Sequence, residues 1–486
     1  MYYQYNPGGT TWGAMSWGHA TSGDLIHWEH QPVALLARGF PGEITEMFFS
    51  GSAIVDTQNR SGFGTNGTVP FVAIYTSVYQ MNETLPSGKT VLAGTQAQSI
   101  AYSLDEGTTW TTYDAENPVI ALPPAPYEDQ LKEYRDPFVF WHESTQKWVM
   151  VLVLAKLHKI SVHTSENLKD WTHASEFGPM NAVGGVWECP GLFPLPVDGD
   201  NDTIKWVLQL GLNPGGPPGT VGSGTQYFVG DFDGIKFVAD ETSNLETNWM
   251  DWGPDFYAAA TFNGLSMTDR YNIGWMSNWQ YAQLVPTSPW RSAMSVPRKM
   301  SLKTINEKTT LIQQPAEGLA SLETSDSYSK SWDKFPKGNE KLRLSGKLLD
   351  ITLTFSNSKP SPALSGAQFG IILRATSDLS QQTRVGYDFG TRKLFVDRTK
   401  SGNVAFDDTF ASVYHAPFTA TSDGTVTMQI LVDWSSIEVF GGEGEVTLST
   451  QIFPNDNGTD VSLFSTKGVI SGVTVEAKVL ESAYGG

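Results

Sequence analysis

Only one cysteine, Cys189, occurs in 486 residues. An intrachain disulfide and any cysteine-based metal cluster are therefore excluded. Charge is scarce too: Asp, Glu, Lys and Arg make up 17% of the chain, against roughly 25% in an average soluble protein. What charge there is runs negative, with 51 acidic against 32 basic side chains and a formal net charge of −19. That balance argues against nucleic acid, whose phosphates need clustered Lys and Arg. It suits a neutral or cationic ligand. Long apolar runs are missing as well. The longest, Trp148 to Ala155, is strand length, far short of the about 18 residues of a membrane helix. Aromatics are abundant at 12%, beside 47 Gly and 27 Pro. Such a chain forms strands and turns more readily than helices. Its 40% of hydrophobic residues excludes disorder, and its length exceeds what one core usually serves, so two or three domains are expected.

The opening Met1-Tyr-Tyr-Gln-Tyr-Asn6 already reads as a strand. No charged and then apolar leader precedes it, so no signal peptide is expected in this stretch.

A phrase recurs along the first three hundred residues. It reads Thr21-Ser-Gly-Asp-Leu-Ile-His-Trp28, Tyr102-Ser-Leu-Asp-Glu-Gly-Thr-Thr-Trp110 and Thr164-Ser-Glu-Asn-Leu-Lys-Asp-Trp171, with a degenerate copy at Gly230-Asp-Phe-Asp-Gly-Ile-Lys-Phe237. A turn-forming Asp, Asn or Gly before an aromatic, flanked by strand-like residues, describes a hairpin. The copies lie about 60 to 80 residues apart, room for four strands and their turns, which is one propeller blade. A fifth set of strands, including Ile273 to Trp279 and Ser292 to Arg298, completes five blades near residue 305. A large β-sandwich with chance hairpin likeness is the weaker alternative. Residues 306–326 are polar and read as a linker. From 327 to 486 short alternating runs return, as in Leu349-Asp-Ile-Thr-Leu-Thr-Phe355, and imply an antiparallel β-sandwich. The expected fold is thus all-β: a five-bladed β-propeller over 1–305 followed by a sandwich. Blade one is incomplete. Only 27 residues precede its hairpin aromatic, Trp28, so the channel-lining strand is missing.

In a propeller the first strand of each blade lines the central channel. Asp136 follows Arg135 on one such strand, and Glu188 precedes Cys189 on the next. Carboxyl groups from adjacent blades converging on one funnel are what glycoside hydrolysis needs: one protonates the leaving oxygen, another attacks or stabilises the cationic centre. A structural Arg135–Asp136 ion pair with Glu188 in an ordinary turn explains the same residues. Patterning alone weighs the two equally.

At these residues the chain resembles glycoside hydrolase family 32, most of all its fungal exo-inulinase (fructan β-fructosidase) members. The matching motifs include Tyr3-Gln-Tyr-Asn-Pro7, Trp12-Gly-Ala-Met-Ser-Trp-Gly-His19, Phe49-Ser-Gly-Ser52, Arg135-Asp-Pro137 and Trp187-Glu-Cys-Pro190. Asp251-Trp-Gly-Pro-Asp-Phe-Tyr257, Ser292-Ala-Met-Ser-Val-Pro-Arg298 and, in the second domain, Asp433-Trp-Ser-Ser-Ile-Glu-Val-Phe440 extend the likeness to the whole chain. The resemblance implies a retaining hydrolase that releases terminal β-D-fructofuranose from inulin, levan-type fructans and sucrose. It implies Glu188 as general acid/base and Asp136 as transition-state stabiliser, with Arg135 pairing the acids and keeping Asp136 ionised. Gln4, Trp12, Ser50 and Trp279 match positions that hold the terminal fructose. Taken singly, Gln4 and Ser50 read as strand residues, and Trp12 and Trp279 as core packing.

One element of the family pattern is absent. Its nucleophile is an aspartate in a Trp-Met-Asn-Asp-Pro-Asn-Gly motif on the first strand of blade one, and no such motif occurs in this sequence. Two readings follow: an exo-inulinase-type enzyme whose first strand lies outside these residues, or a non-catalytic fructan-binding protein. A fructosyltransferase would use the same fold and acids. No cofactor or metal is expected, because the eight His are scattered and no EF-hand-like acidic loop occurs. The expected partner is a fructan or sucrose, with no nucleic acid or membrane, and a monomer or homodimer. The resemblance implies an extracellular protein, and the sequons at Asn59, Asn66, Asn82, Asn201 and Asn457 permit glycosylation.

Overall fold

The computed structural model describes residues 1–356 and 366–484. Strands dominate, and the first 315 residues fold into five radially arranged blades. Blade I has three strands, Tyr2–Tyr5, Ser16–Thr21 and Glu29–Leu35. Blade II runs Glu46–Val55, Phe71–Tyr79, Gln96–Ser103 and Thr111–Thr112. Blade III runs Tyr134–His142, Lys147–Leu154, Lys159–Ser165 and Thr172–Phe177. Blade IV runs Val186–Val197, Asp200–Asn213, Gly224–Phe232 and Phe237–Ala239. Blade V holds Tyr257–Thr261, Tyr271–Trp275, Arg298–Ile305 and Lys308–Pro315.

The recurrent phrase is a hairpin with a local cause. In each copy the side chain of Asp or Asn accepts backbone N–H groups of the turn. Asp24 takes those of Ile26 and His27, Asn167 those of Lys169 and Asp170, and Asp233 those of Ile235 and Lys236. The Trp indole then donates back to a carbonyl three residues earlier: Trp28 to Leu25, Trp110 to Gly107 and Trp171 to Leu168. This Asx capping needs no tertiary partner, which is why it survives as a readable repeat. Because the hairpin joins the third and fourth strands in blades II and III, the strands of blade I correspond to the second, third and fourth of the others.

The longest apolar run finds its explanation between blades. On the second strand of blade III, Val149, Val151 and Val153 pack toward blade IV against Leu192 and Leu208. Their neighbours Met150, Leu152 and Leu154 pack the other way, toward Ile54, Val72 and Ile100 of blade II. A strand buried on both faces has no polar face to show, and reads as continuous rather than alternating.

The expected linker is not one. Lys308-Thr-Thr-Leu-Ile-Gln-Gln-Pro315 is the outer strand of blade V, paired along its length with Arg298–Ile305. Asn306 and Glu307 turn the hairpin with φ of 49° and 66°, the left-handed pair that a tight hairpin requires. Its polar side chains are those of an edge strand with one wet face, while Leu311, Ile312 and Gln313 are buried. The expected strand at Ser292–Arg298 reduces to a single bridge between Met294 and Trp275. The true strand begins at Arg298.

The sandwich starts with Glu323–Phe335, four residues before the expected boundary at 327. It comprises two antiparallel six-stranded sheets. Leu349, Ile351, Leu353 and Phe355 are fully buried in the shared core while the residues between them are not, the period-two pattern of strands with one inner face.

Two buried arginines join the domains. Arg298 of the propeller pairs with Asp251 at 3.0 Å and with Glu438 of the sandwich at 2.7 Å. It also donates to Ser449 Oγ at 2.5 Å. Arg398 of the sandwich pairs with Asp255 of the propeller at 2.6 Å. All five ion-paired side chains are nearly inaccessible to solvent. The segments Asp251–Tyr257, Ser292–Arg298 and Asp433–Phe440 therefore carry interface charges.

Candidate active site

Each inner strand of blades II to V breaks its ladder at the same place. The register slips between Phe48 and Gly51, Arg135 and Phe138, Glu188 and Gly191, and Tyr257 and Ala260. One residue is inserted each time, a β-bulge. Three of the bulges place a non-glycine residue at positive φ: Asp136 at 63°, Cys189 at 48° and Ala258 at 47°. Such backbone costs on the order of 1 kcal/mol each. Pro137 and Pro190 follow the first two, where the interrupted ladder asks for no N–H. The bulges re-aim side chains, and those of blades III and IV meet.

Arg135 Nη2 donates to Glu188 Oε1 at 3.1 Å, and its Nη1 to Glu133 at 2.9 Å. Its Nε lies 3.8 Å from Asp136 Oδ2. Tyr257 donates its hydroxyl to Glu188 Oε2 at 2.5 Å. Asp136 Oδ2 accepts the Cys189 N–H at 2.9 Å, and Thr76 Oγ1 accepts the Asp136 N–H at 3.0 Å. Burial, with the two carboxylates adding to it, pushes the pKa of the Cys189 thiol well up. Burial likewise drives the Tyr257 phenol well above its usual value, with Glu188 adding to the effect. Tyr257 thus stays a donor to the Glu188 carboxyl group.

Arg135 does not hold Asp136 in the ordinary carboxylate range, because burial outweighs the arginine and the Glu188 charge adds to the burial. Its pKa is raised from 3.8 to about 6. A carboxyl whose folded pKa lies above its unfolded value favours folding below pH 3.8, and that contribution disappears as the pH rises through about 6. Asp136→Asn keeps an oxygen for the Cys189 N–H and cannot ionise. At pH 7 it is expected to be more stable than the parent by on the order of 2 to 3 kcal/mol, the gap closing toward pH 4. Urea unfolding at the two pH values checks this; a gap independent of pH would refute it.

The other expected site residues divide into two groups. Gln4 is exposed on blade I and donates to Phe48 O at 3.1 Å. Ser50 lies half-buried in the bulge of blade II. Trp12, 50% exposed, sets its ring 6.2 Å from Phe49 beside it. Trp279, 38% exposed, stands 5.0 Å from Trp275, which pairs with Tyr257. Neither indole is core packing: each offers a face to solvent. Tyr257, Glu133, Thr76 and the Cys189 backbone went unrecognised in the sequence. For Tyr257 the signal was there, since it holds the same bulge register as Arg135 and Glu188. One His-x-x-His spacing does occur, but His27 bonds Asp24 while His30 faces the Tyr3 hydroxyl. Among the described residues no group of three or more His, Cys, Asp or Glu is arranged to hold a metal.

A propeller whose inner strands bring two carboxyl groups together under an arginine, backed by a sandwich, defines a glycosidase of the β-propeller class. Comparison with known proteins narrows this. The N-terminal domain of glycosyl hydrolases family 32 matches residues 1–315, and the family's C-terminal domain matches residues 318–481. The chain belongs to glycosyl hydrolase family 32. It is 56% identical to an extracellular exo-inulinase of Aspergillus ficuum over 489 aligned residues, covering 100% of this chain and 90% of that protein. A levanase of Bacillus subtilis is 44% identical, covering 100% of this chain and 67% of its own length. The crystal structure of exo-inulinase from Aspergillus awamori superposes with a TM-score of 0.96 at 55% identity, covering 99% of this chain and 93% of that one.

Proposed function

We propose that this glycosidase removes terminal β-D-fructofuranosyl units from inulin, levan-type fructans and sucrose by a retaining mechanism. The observation that carries the reading is the setting of Glu188, held by Arg135 on one oxygen and Tyr257 on the other, beside buried Asp136. Relatives named for inulin and levan support the substrate class, and sucrose ends in the same fructosyl unit. The exo-inulinase relative, named as extracellular, supports an extracellular location.

In this reading Glu188 gives its proton to the leaving oxygen and later takes one from the attacking water. Asp136 bonds hydroxyls of the fructosyl ring as positive charge develops there, and Arg135 holds the two acids at a fixed separation. Gln4 and Ser50 bond the terminal fructose, and Trp12 and Trp279 cover its apolar faces. A retaining displacement also takes a nucleophilic carboxylate about 5 to 5.5 Å from the acid. Its place is the inner strand of blade I, a strand that the described blade I does not include. The carboxylate forms a bond to the anomeric carbon as the glycosidic bond breaks, and water then displaces it.

Binding can be tested apart from turnover. Calorimetric titration with fructose is expected to show saturable binding, weakened about tenfold in Asp136→Ala, the loss of charge-assisted hydrogen bonds. Equal binding of glucose and fructose, indifferent to that substitution, would sink the proposal.

A further inference from the structure

Trp279 is held from two sides, and one of them is the other domain. Its predecessor, Asn278, is fully buried and donates to the carbonyls of Val221 at 2.9 Å and Pro254 at 2.7 Å. The Asn278 side-chain oxygen accepts the Gln280 N–H at 2.9 Å. On the other side, buried Tyr281 donates to Asp255 Oδ1 at 2.6 Å and accepts from Arg398 Nη2 at 2.9 Å. Arg398 also pairs with Asp255 Oδ2, which takes the Gln451 N–H at 2.7 Å. Around this knot Tyr281 and Val285 pack with Phe410, flanked by Phe406 and Phe453 of the sandwich. The Tyr281 and Ala282 N–H groups both return to Asn278 O. The exposed indole therefore projects from a short turn pinned at one end by blades IV and V and at the other by the sandwich.

We propose that Arg398 and Tyr281 are positioning residues for Trp279, so that the sandwich sets the angle at which the indole meets the sugar. This rests on Trp279 as a fructose-holding residue. Trp279 itself meets Trp275 at 5.0 Å and donates its N–H to Ser223 Oγ at 3.3 Å, but a turn with an exposed large side chain samples many angles unless its flanks are fixed as well. Here the fixing groups are buried: Asn278 and Tyr281 flank Trp279 in sequence, and Arg398 reaches Tyr281 from the sandwich. Neither Arg398 nor Tyr281 needs to touch the substrate.

Arg398→Met strands buried Asp255 and risks unfolding, so Tyr281→Phe is the main variant: it keeps the ring packing and removes both hydroxyl bonds. Hydrogen exchange on the full chain is expected to rise at least about tenfold for the amides of 281–284 in Tyr281→Phe, with strand Leu349–Ser356 unaffected. Fructose affinity is then measured in a double-mutant cycle. Trp279→Ala alone is expected to weaken binding about tenfold and Tyr281→Phe about threefold, while Tyr281→Phe on top of Trp279→Ala adds nothing. If Trp279→Ala leaves fructose binding unchanged, the role given to Trp279 fails. If Trp279→Ala weakens binding but Tyr281→Phe changes neither exchange nor affinity, or its effect adds in full, the positioning role fails.

Discussion

Joining a strand with the sequence Trp-Met-Asn-Asp-Pro-Asn-Gly ahead of Met1 is expected to raise fructose release from sucrose and inulin by roughly 10⁴-fold over the 486-residue chain alone. The ground is chemical. In the proposed mechanism Glu188 is the proton donor, and Asp136 is buried and tied to the Cys189 N–H, so neither is free to attack from the opposite face. The acids of the first 45 residues are Asp24, Glu29 and Glu43. Asp24 caps a hairpin turn, and Glu29 lies on the outer strand of blade I. An added aspartate between the inner strands of blades II and V would face Glu188 across the funnel. Within the joined polypeptide, Glu188→Gln should lower turnover about 10² to 10⁴-fold, the usual share of a general acid. Assay of free fructose decides the matter. If the unextended chain matched the joined one, a different carboxylate would be the nucleophile, and Asp136 would be the first to mutate.

The second large effect concerns the domain interface. Glu438→Leu leaves Arg298, a fully buried cation, with Asp251 as its remaining carboxylate. It also removes the acceptor of the Val296 N–H. Breaking a buried pair from one side costs about 3 to 5 kcal/mol, and with Asp251 still beside Arg298 the loss is expected at the lower end, about 3 kcal/mol. We expect a lower thermal midpoint and, in calorimetry, one transition becoming two as the sandwich and propeller uncouple. Glu438→Gln, which keeps the shape and one acceptor oxygen, should fall between. An unchanged single transition in Glu438→Leu would show that the interface is held by packing and by Arg398 instead.

Much of this molecule was legible from its residues, and the boundary of legibility follows distance along the chain. The Asp-to-Trp hairpins could be read because cap and indole act within a few residues of each other. Asp136 and Glu188 stood out because strand position in a repeated blade predicts where a side chain points. Lys308–Pro315 was missed since its strand character comes from pairing with Arg298–Ile305, not from its own polar residues. The interface role of Glu438 depends on a partner 140 residues away. The raised pKa of Asp136 depends on burial, which residue identity does not reveal.

The bulge shared by four inner strands separates scaffold from chemistry. At each kink the ladder has already let go of the backbone, so the residue there answers to the channel rather than to the sheet. Phe49, Asp136, Cys189 and Ala258 occupy the same socket with an aromatic ring, a carboxyl, a thiol and a methyl group. A fold with this property is modular in rotation: its reactive groups can be exchanged one blade at a time while the walls between blades stay as they are.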